Sequence, residues 1–193
     1  MKTLLIALLH TCALLAQNNE VSLYSGLMRH SSVVRPDSTE IEYRSASMFN
    51  IANQCAAGSA GRLSLEFPIL WADGRYQSST RALLGRKATT TFLTPGLRFE
   101  RNLSKRATVY ATAGLGIVTT NERVSIQRPG FTATSTGTAY RVGLAGNIGG
   151  GIDLRLTRLL SIRFETRDFI TKRNSTLFRR HNITPLVGLA FHF

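Results

Sequence analysis

From about residue 60 onward the chain alternates with a period of two, and this confines it to strands whose two faces differ. In Ile183-Thr184-Pro185-Leu186-Val187-Gly188-Leu189-Ala190-Phe191-His192-Phe193 the odd positions are large and apolar, while the even ones are mostly small or polar. Residues 108–118 repeat the pattern, with Val109, Ala111, Ala113, Leu115 and Ile117 set against Thr108, Tyr110, Thr112, Gly114 and Gly116. Leu63, Leu65, Phe67 and Ile69 alternate with Arg62, Ser64 and Glu66. Leu93, Pro95, Leu97 and Phe99 alternate with Thr94, Gly96, Arg98 and Glu100. Tyr140, Val142, Leu144 and Ile148 oppose Arg141, Gly143, Ala145 and Asn147, and Leu160, Ile162 and Phe164 oppose Ser161, Arg163 and Glu165.

The first segment sets the compartment. Residues 1–16, MKTLLIALLHTCALLA, carry one early cation, an apolar run and a closing alanine, which is the pattern of a secretory signal peptide cleaved after Ala16. The run is too short to span a bilayer as a helix, and no later segment reaches 18 consecutive apolar residues. Leu9-His10-Thr11-Cys12 departs from a lipobox, because His and Thr stand where small residues are expected. Cys55 is then the only cysteine beyond the signal, so no intramolecular disulfide frames the fold, and a structural place in a turn is expected for it.

Two architectures bury or cover such strands. In a soluble β-sandwich or ligand-binding barrel the apolar face points inward; in a transmembrane barrel it meets lipid, and each strand needs about 9–11 residues. The opposite face decides between them. It is rich in glycine and carries Arg62, Glu66, Arg98, Glu100, Arg141, Arg163, Glu165 and Arg167 in mid-strand. Runs such as Gly149-Gly150-Gly151 would weaken an exposed sheet surface but make room for large paired side chains inside a narrow barrel. The mean hydropathy of −0.01 fits one-for-one alternation of lipid-facing and lumen-facing residues.

Strands are expected near 20–28, 41–53, 60–70, 88–100, 106–119, 138–155, 159–171 and 182–193, with 41–55 alternating poorly. Long connections near 29–40, 71–87, 120–137 and 172–181 alternate with short ones near 54–59, 101–105 and 156–158, so short turns face the periplasm and long loops the exterior. The expectation is an all-β, eight-stranded antiparallel up-and-down transmembrane β-barrel over residues 17–193, in the bacterial outer membrane.

With these strands in place, the chain resembles the small outer-membrane β-barrel family typified by the OmpA-type transmembrane domain. The resemblance rests on the leader, the eight alternating strands, the hairpin from Gly149 to Glu165 with its Gly-rich strand and Arg/Glu-bearing return, and the closing strand Leu189-Ala190-Phe191-His192-Phe193. It implies that Val187, Leu189, Phe191 and Phe193 form the signal read by the barrel-assembly machinery. Cell-wall tethering belongs to a separate domain of larger members and is not carried over.

An eight-stranded barrel is just wide enough for its side chains to fill it. The eight mid-strand charges are therefore expected to plug the lumen as ion pairs. The expected loops hold 12 basic residues (Arg29, Arg35, Arg75, Arg81, Arg86, Lys87, Arg123, Arg128, Lys172, Arg173, Arg179 and Arg180) against Asp37, Glu40, Asp73 and Glu122, a net of +8 out of a whole-chain +13. Arg75, Arg81, Arg86, Lys172, Arg173, Arg179 and Arg180 are expected to face lipopolysaccharide, whose phosphates suit bidentate guanidinium contacts.

The expected function is structural or in surface interaction, by a monomer without cofactor or metal. The runner-up is a lipid A-modifying barrel enzyme, for which His30-Ser31-Ser32 with Asp37 and Glu40 is the candidate, although no tight constellation is visible. A third reading is a soluble periplasmic barrel that binds an apolar ligand. Basic residues scattered without aromatic interleaving argue against nucleic acid.

Overall fold

The computed structural model describes residues 19–31, 41–78, 83–127, 134–171 and 181–193. The expected signal segment lies outside them. The strands are β1 (Asn19–Ser31), β2 (Ile41–Gly58), β3 (Gly61–Ser78), β4 (Leu83–Leu93), β5 (Gly96–Asn102), β6 (Ala107–Gln127), β7 (Thr134–Arg155), β8 (Leu160–Thr171) and β9 (His181–His192). All pairings are antiparallel. β1 pairs with β9 and β2, and β2 with β3, so the sheet closes on itself.

β4 and β5 are the two halves of one stave, each paired with β3 on one side and β6 on the other, so nine strands build eight staves. The ladder breaks at Thr94-Pro95, opposite Phe67-Pro68 on β3. Two prolines meeting there remove two ladder donors. The side-chain alternation passes through the break unaltered: Leu93 and Leu97 point out, and Phe92, Thr94 and Arg98 point in.

At the short-turn end the start of β1 meets the C-terminal residue, with Asn19 N donating to Phe193 O at 2.8 Å and Phe193 N to Asn19 O at 3.0 Å. At the other end the strands run well past the expected boundaries. β6 and β7 are 21 and 22 residues long, about twice what a bilayer span needs. The connections expected near 71–87 and 120–137 are thus mostly strand, and Arg75, Arg86, Lys87 and Arg123 stand on strands rather than in loops. Cys55 is likewise not in a turn. It is the extra residue of a β-bulge where the β2–β3 register shifts between Gln54 and Ala56, and its thiol is exposed.

Leu23, Ile51, Phe67, Leu97, Ile117, Phe164, Val187 and Leu189 are exposed on the outer wall, forming an apolar belt that only lipid can cover. Trp71 stands at its outer side.

Candidate functional site

Inward residues fill the lumen in two layers. The layer at the short-turn end is ionic and centres on Glu20. Arg98 Nη1 and Nη2 donate to its two carboxylate oxygens, each at 2.9 Å. Arg163 also grips Glu20 in bidentate fashion, with Nη2 2.8 Å from Oε2 and Nη1 against Oε1. Arg163 extends to Asp153 through Nε at 3.1 Å and through Nη2, while Arg98 Nε lies 2.8 Å from Glu100, which Arg62 meets at 3.0 Å. Three carboxylates and three guanidiniums therefore form one chain of pairs drawn from β1, β3, β5, β7 and β8.

Deeper in, Arg167 donates to both oxygens of Glu66 at 2.8 and 3.0 Å and, through Nε, to Glu165. Arg98, Arg163, Arg167 and Glu66 are all buried. Charges removed from water in this way persist only when paired and hydrogen-bonded on most sides.

Aromatic rings brace these guanidiniums. The Tyr110 ring lies 5.6 Å from Arg98 Cζ and 5.0 Å from Arg163 Cζ, within cation–π range, and Tyr24 Oη accepts from Arg163 Nη1 at 3.2 Å. Each ring lies over a glycine. A Cβ at Gly151 would stand 2.6 Å from Tyr110 Oη, and one at Gly188 would stand 2.6 Å from the Tyr24 ring. This close approach is why glycine stands at position 151 on β7 and position 188 on β9.

The second layer, toward the outer end, is apolar. Met28, Met48, Leu70, Phe92, Val118 and Phe169 meet there, with the Phe92 and Phe169 ring centroids 4.8 Å apart and tilted by 42°. Above it Arg44 Nη1 donates to Thr90 at 3.4 Å, and Thr90 meets Thr120 at 3.3 Å. Below the ionic layer a polar vestibule of about 160 Å³ opens at the short-turn mouth, lined by Arg62, Glu100, Arg155, Arg158 and His192 among others. Ser161 Oγ donates to Asp153 at 3.1 Å and lies 2.9 Å from His192 Nε2, so the imidazole donates to the hydroxyl.

Seven of the eight sequence-selected charges, Arg62, Glu66, Arg98, Glu100, Arg163, Glu165 and Arg167, therefore meet in the ionic layer. Arg141 does not. It is exposed on the stretch of β7 that rises beyond the end of β8, whose last residue, Thr171, pairs with Ala145. Glu20, Asp153, Tyr24 and Tyr110 are not among the residues singled out from sequence. Yet Glu20, Ser22 and Tyr24 share one face of β1, and Asp153 continues the Gly149-Gly151 face of β7, so the same alternation marks them.

Of the residues expected to face lipopolysaccharide, Arg81, Lys172, Arg173, Arg179 and Arg180 lie outside the described residues. Arg75 and Arg86 are on β3 and β4, where the register sets Arg75, Lys87 and Arg123 in one row across three strands. Glu122, expected in a loop, is buried in the lumen. Ser32, Asp37 and Glu40 of the runner-up constellation lie outside the described residues, while His30 and Ser31 end β1. Val187, Leu189, Phe191 and Phe193 all point outward and are exposed.

Among the described residues the lumen is close to neutral: Glu20, Glu66, Glu100, Glu122, Asp153 and Glu165 oppose Arg44, Arg62, Arg98, Arg163 and Arg167, a net of −1 in a chain whose total is +13.

No protein-family model matches the sequence, and no curated protein matches it. Solved structures do match in fold. The attachment invasion locus protein Ail of Yersinia pestis aligns with a TM-score of 0.56 at 13% identity, over 91% of this chain and 99% of that one. Neisserial surface protein A aligns with a TM-score of 0.56 at 11% identity, over 91% and 97%. A major outer membrane protein from Thermus thermophilus aligns at 0.55 and 10% identity, over 91% and 99%. The class that fold and site define together is an eight-stranded outer-membrane β-barrel with a filled lumen.

Proposed function

We propose that this barrel is a non-enzymatic protein of the outer membrane that acts structurally or in surface interaction, held at its outer rim by lipopolysaccharide. The observation that carries the reading is the row Arg75, Lys87 and Arg123. It stands four residues along the wall from Trp71, Thr91 and Thr119, which is about 10 Å beyond the aromatic boundary of the lipid belt at a rise of ~3.3 Å per residue and the tilt of such strands. Long cationic side chains at that height reach back to the headgroup layer, which is about 5–7 Å deep beyond the hydrocarbon, and Lys87 and Arg123 are exposed there. The sequence adds Lys172, Arg173, Arg179 and Arg180 between β8 and β9. Ail has been seen in complex with sucrose octasulfate, a heparin analogue, so a polyanion contact has a precedent on this fold.

The test is thermal unfolding in vesicles with and without lipopolysaccharide. The expected result is that lipopolysaccharide raises the unfolding temperature of the native chain by several degrees, and that K87S/R123S/R173S/R179S/R180S loses most of that rise. An undiminished rise in the variant would refute the reading.

One observation favours the enzymatic alternative. At the outer end of β8 and β9, His181 Nδ1 lies 2.6 Å from Asp168 Oδ2, while Asp168 Oδ1 accepts the Asn182 backbone N–H at 2.9 Å. A carboxylate that orients an imidazole is two thirds of an acyl-transfer triad. On the non-enzymatic reading, the H181A variant leaves the mass spectrum of lipid A identical to that from cells expressing the native chain. A change in acyl composition that depends on His181 would establish the enzyme instead.

A further inference from the structure

Part of the exterior charge lies at the opposite end of the barrel from the proposed lipopolysaccharide row. The β5–β6 and β7–β8 hairpin ends carry Arg101, Lys105, Arg106, Arg155 and Arg158, all exposed, with Arg155 and Arg158 at the mouth of the vestibule, and residues 101–108 and 154–162 contain no acid. The same two turns expose Leu103, Leu156 and Leu159 by 64, 57 and 64%. They are adjacent, since Arg155 N donates to Arg106 O at 2.8 Å. They are also fixed. Ser104 Oγ accepts the Arg106 and Ala107 amides at 3.3 and 3.1 Å, and Thr157 Oγ1 accepts those of Leu159 and Leu160 at 3.2 and 3.0 Å.

Leucines standing out of tight turns are unfavourable in water, and five cations are unfavourable in hydrocarbon. A bilayer interface satisfies both at once. Arg101 follows the lipid-facing Leu97 and Phe99 on the outer wall, so its guanidinium reaches the headgroup level where the apolar belt ends. The third short turn, Gly58-Ser59-Ala60-Gly61, carries neither cation nor leucine, and of the residues that follow it Arg62 is paired with Glu100 and Leu63 is half-buried, so the feature belongs to one side of the rim.

We propose that this patch is a binding surface for anionic phospholipid headgroups of the periplasmic leaflet, with the leucines inserted among the acyl chains and the cations on the phosphates. It is separate from lipopolysaccharide contact and does not depend on it. Only the outer-membrane orientation of the barrel is shared.

The test uses the full chain with W71F/F99W, which places the single indole beside Arg101, refolded into vesicles containing brominated phosphatidylglycerol or brominated phosphatidylcholine. The expected relative association constant, read from quenching, favours phosphatidylglycerol by about five-fold. Adding R101S/K105S/R106S/R155S/R158S brings the ratio to about one, whereas R101K/R106K/R155K/R158K keeps it above about three. Folding of each variant is checked by its altered mobility when unboiled; if the five-site serine variant does not fold, R101S/K105S replaces it and at least halves the preference. A ratio near one in the starting chain, or a preference unmoved by the folded serine variants, would overturn the proposal.

Discussion

Replacing Arg163 with alanine is expected to cost about 3–5 kcal/mol of unfolding free energy, measured by urea titration in lipid vesicles. The reason is electrostatic. Arg163, 1% exposed, hydrogen-bonds both Glu20 and Asp153, and the half-buried His192 is the other described group within 4.0 Å of both, so loss of the arginine leaves two buried carboxylates at the head of the vestibule without their main shared cation. Arg98 still holds Glu20, which keeps the cost from being larger. Neutralising the acids together with the arginine, in R163M/E20Q/D153N, is expected to recover part of the loss, because the penalty lies in the unpaired charge rather than in the missing bond. A single-site cost below about 1 kcal/mol would mean that water reaches the layer and that the lumen is not filled there.

The second large effect belongs to the apolar layer. Phe169→Ala is expected to destabilise the barrel by about 3–5 kcal/mol in the same titration. Its ring is fully buried against Phe92, and the backbones around it are tied into the sheet and cannot collapse into the space left. Arg141→Ser is a useful contrast. Exposed above the end of β8, it is expected to change stability by no more than about 0.5 kcal/mol, although sequence alone ranks it with the buried arginines.

That contrast shows what alternation conveys and what it omits. Period two says which face a residue takes, and Arg141 does share its face with Asn147 and Asp153. It does not say how high along the barrel that residue stands, or whether the neighbouring strand reaches as far. Height depends on register, and register is fixed by turns and pairings between distant segments. For the same reason the outer hairpins look like loops in the sequence: once strands rise beyond the lipid belt, neither face must be apolar and the pattern fades.

The weak alternation of residues 41–55 has a different cause. Met48 points in toward Met28 and Leu70, while Phe49 and Ile51 point out, so both faces are apolar where the second layer crosses β2. Phe92, Val118 and Phe169 belong to that same layer. A lumen expected to be polar throughout gives no reason to look for it. Glu20 and Asp153, by contrast, are legible, since each sits on the face that the neighbouring small residues define.

The charge balance also reads differently once the lumen is assigned. With the lumen near neutral among the described residues, basic residues stand at both ends of the barrel, and the β5–β6 and β7–β8 hairpin ends hold five cations that a count of outer loops does not include.

The most direct measurement of a sealed barrel embedded in the outer membrane is fractionation of cells expressing the full chain, followed by electrophoresis with and without boiling. The expected result is a detergent-extracted outer-membrane band that migrates differently unboiled and takes the mobility of the unfolded chain only after boiling. A freely soluble periplasmic monomer with one mobility in both lanes would contradict it.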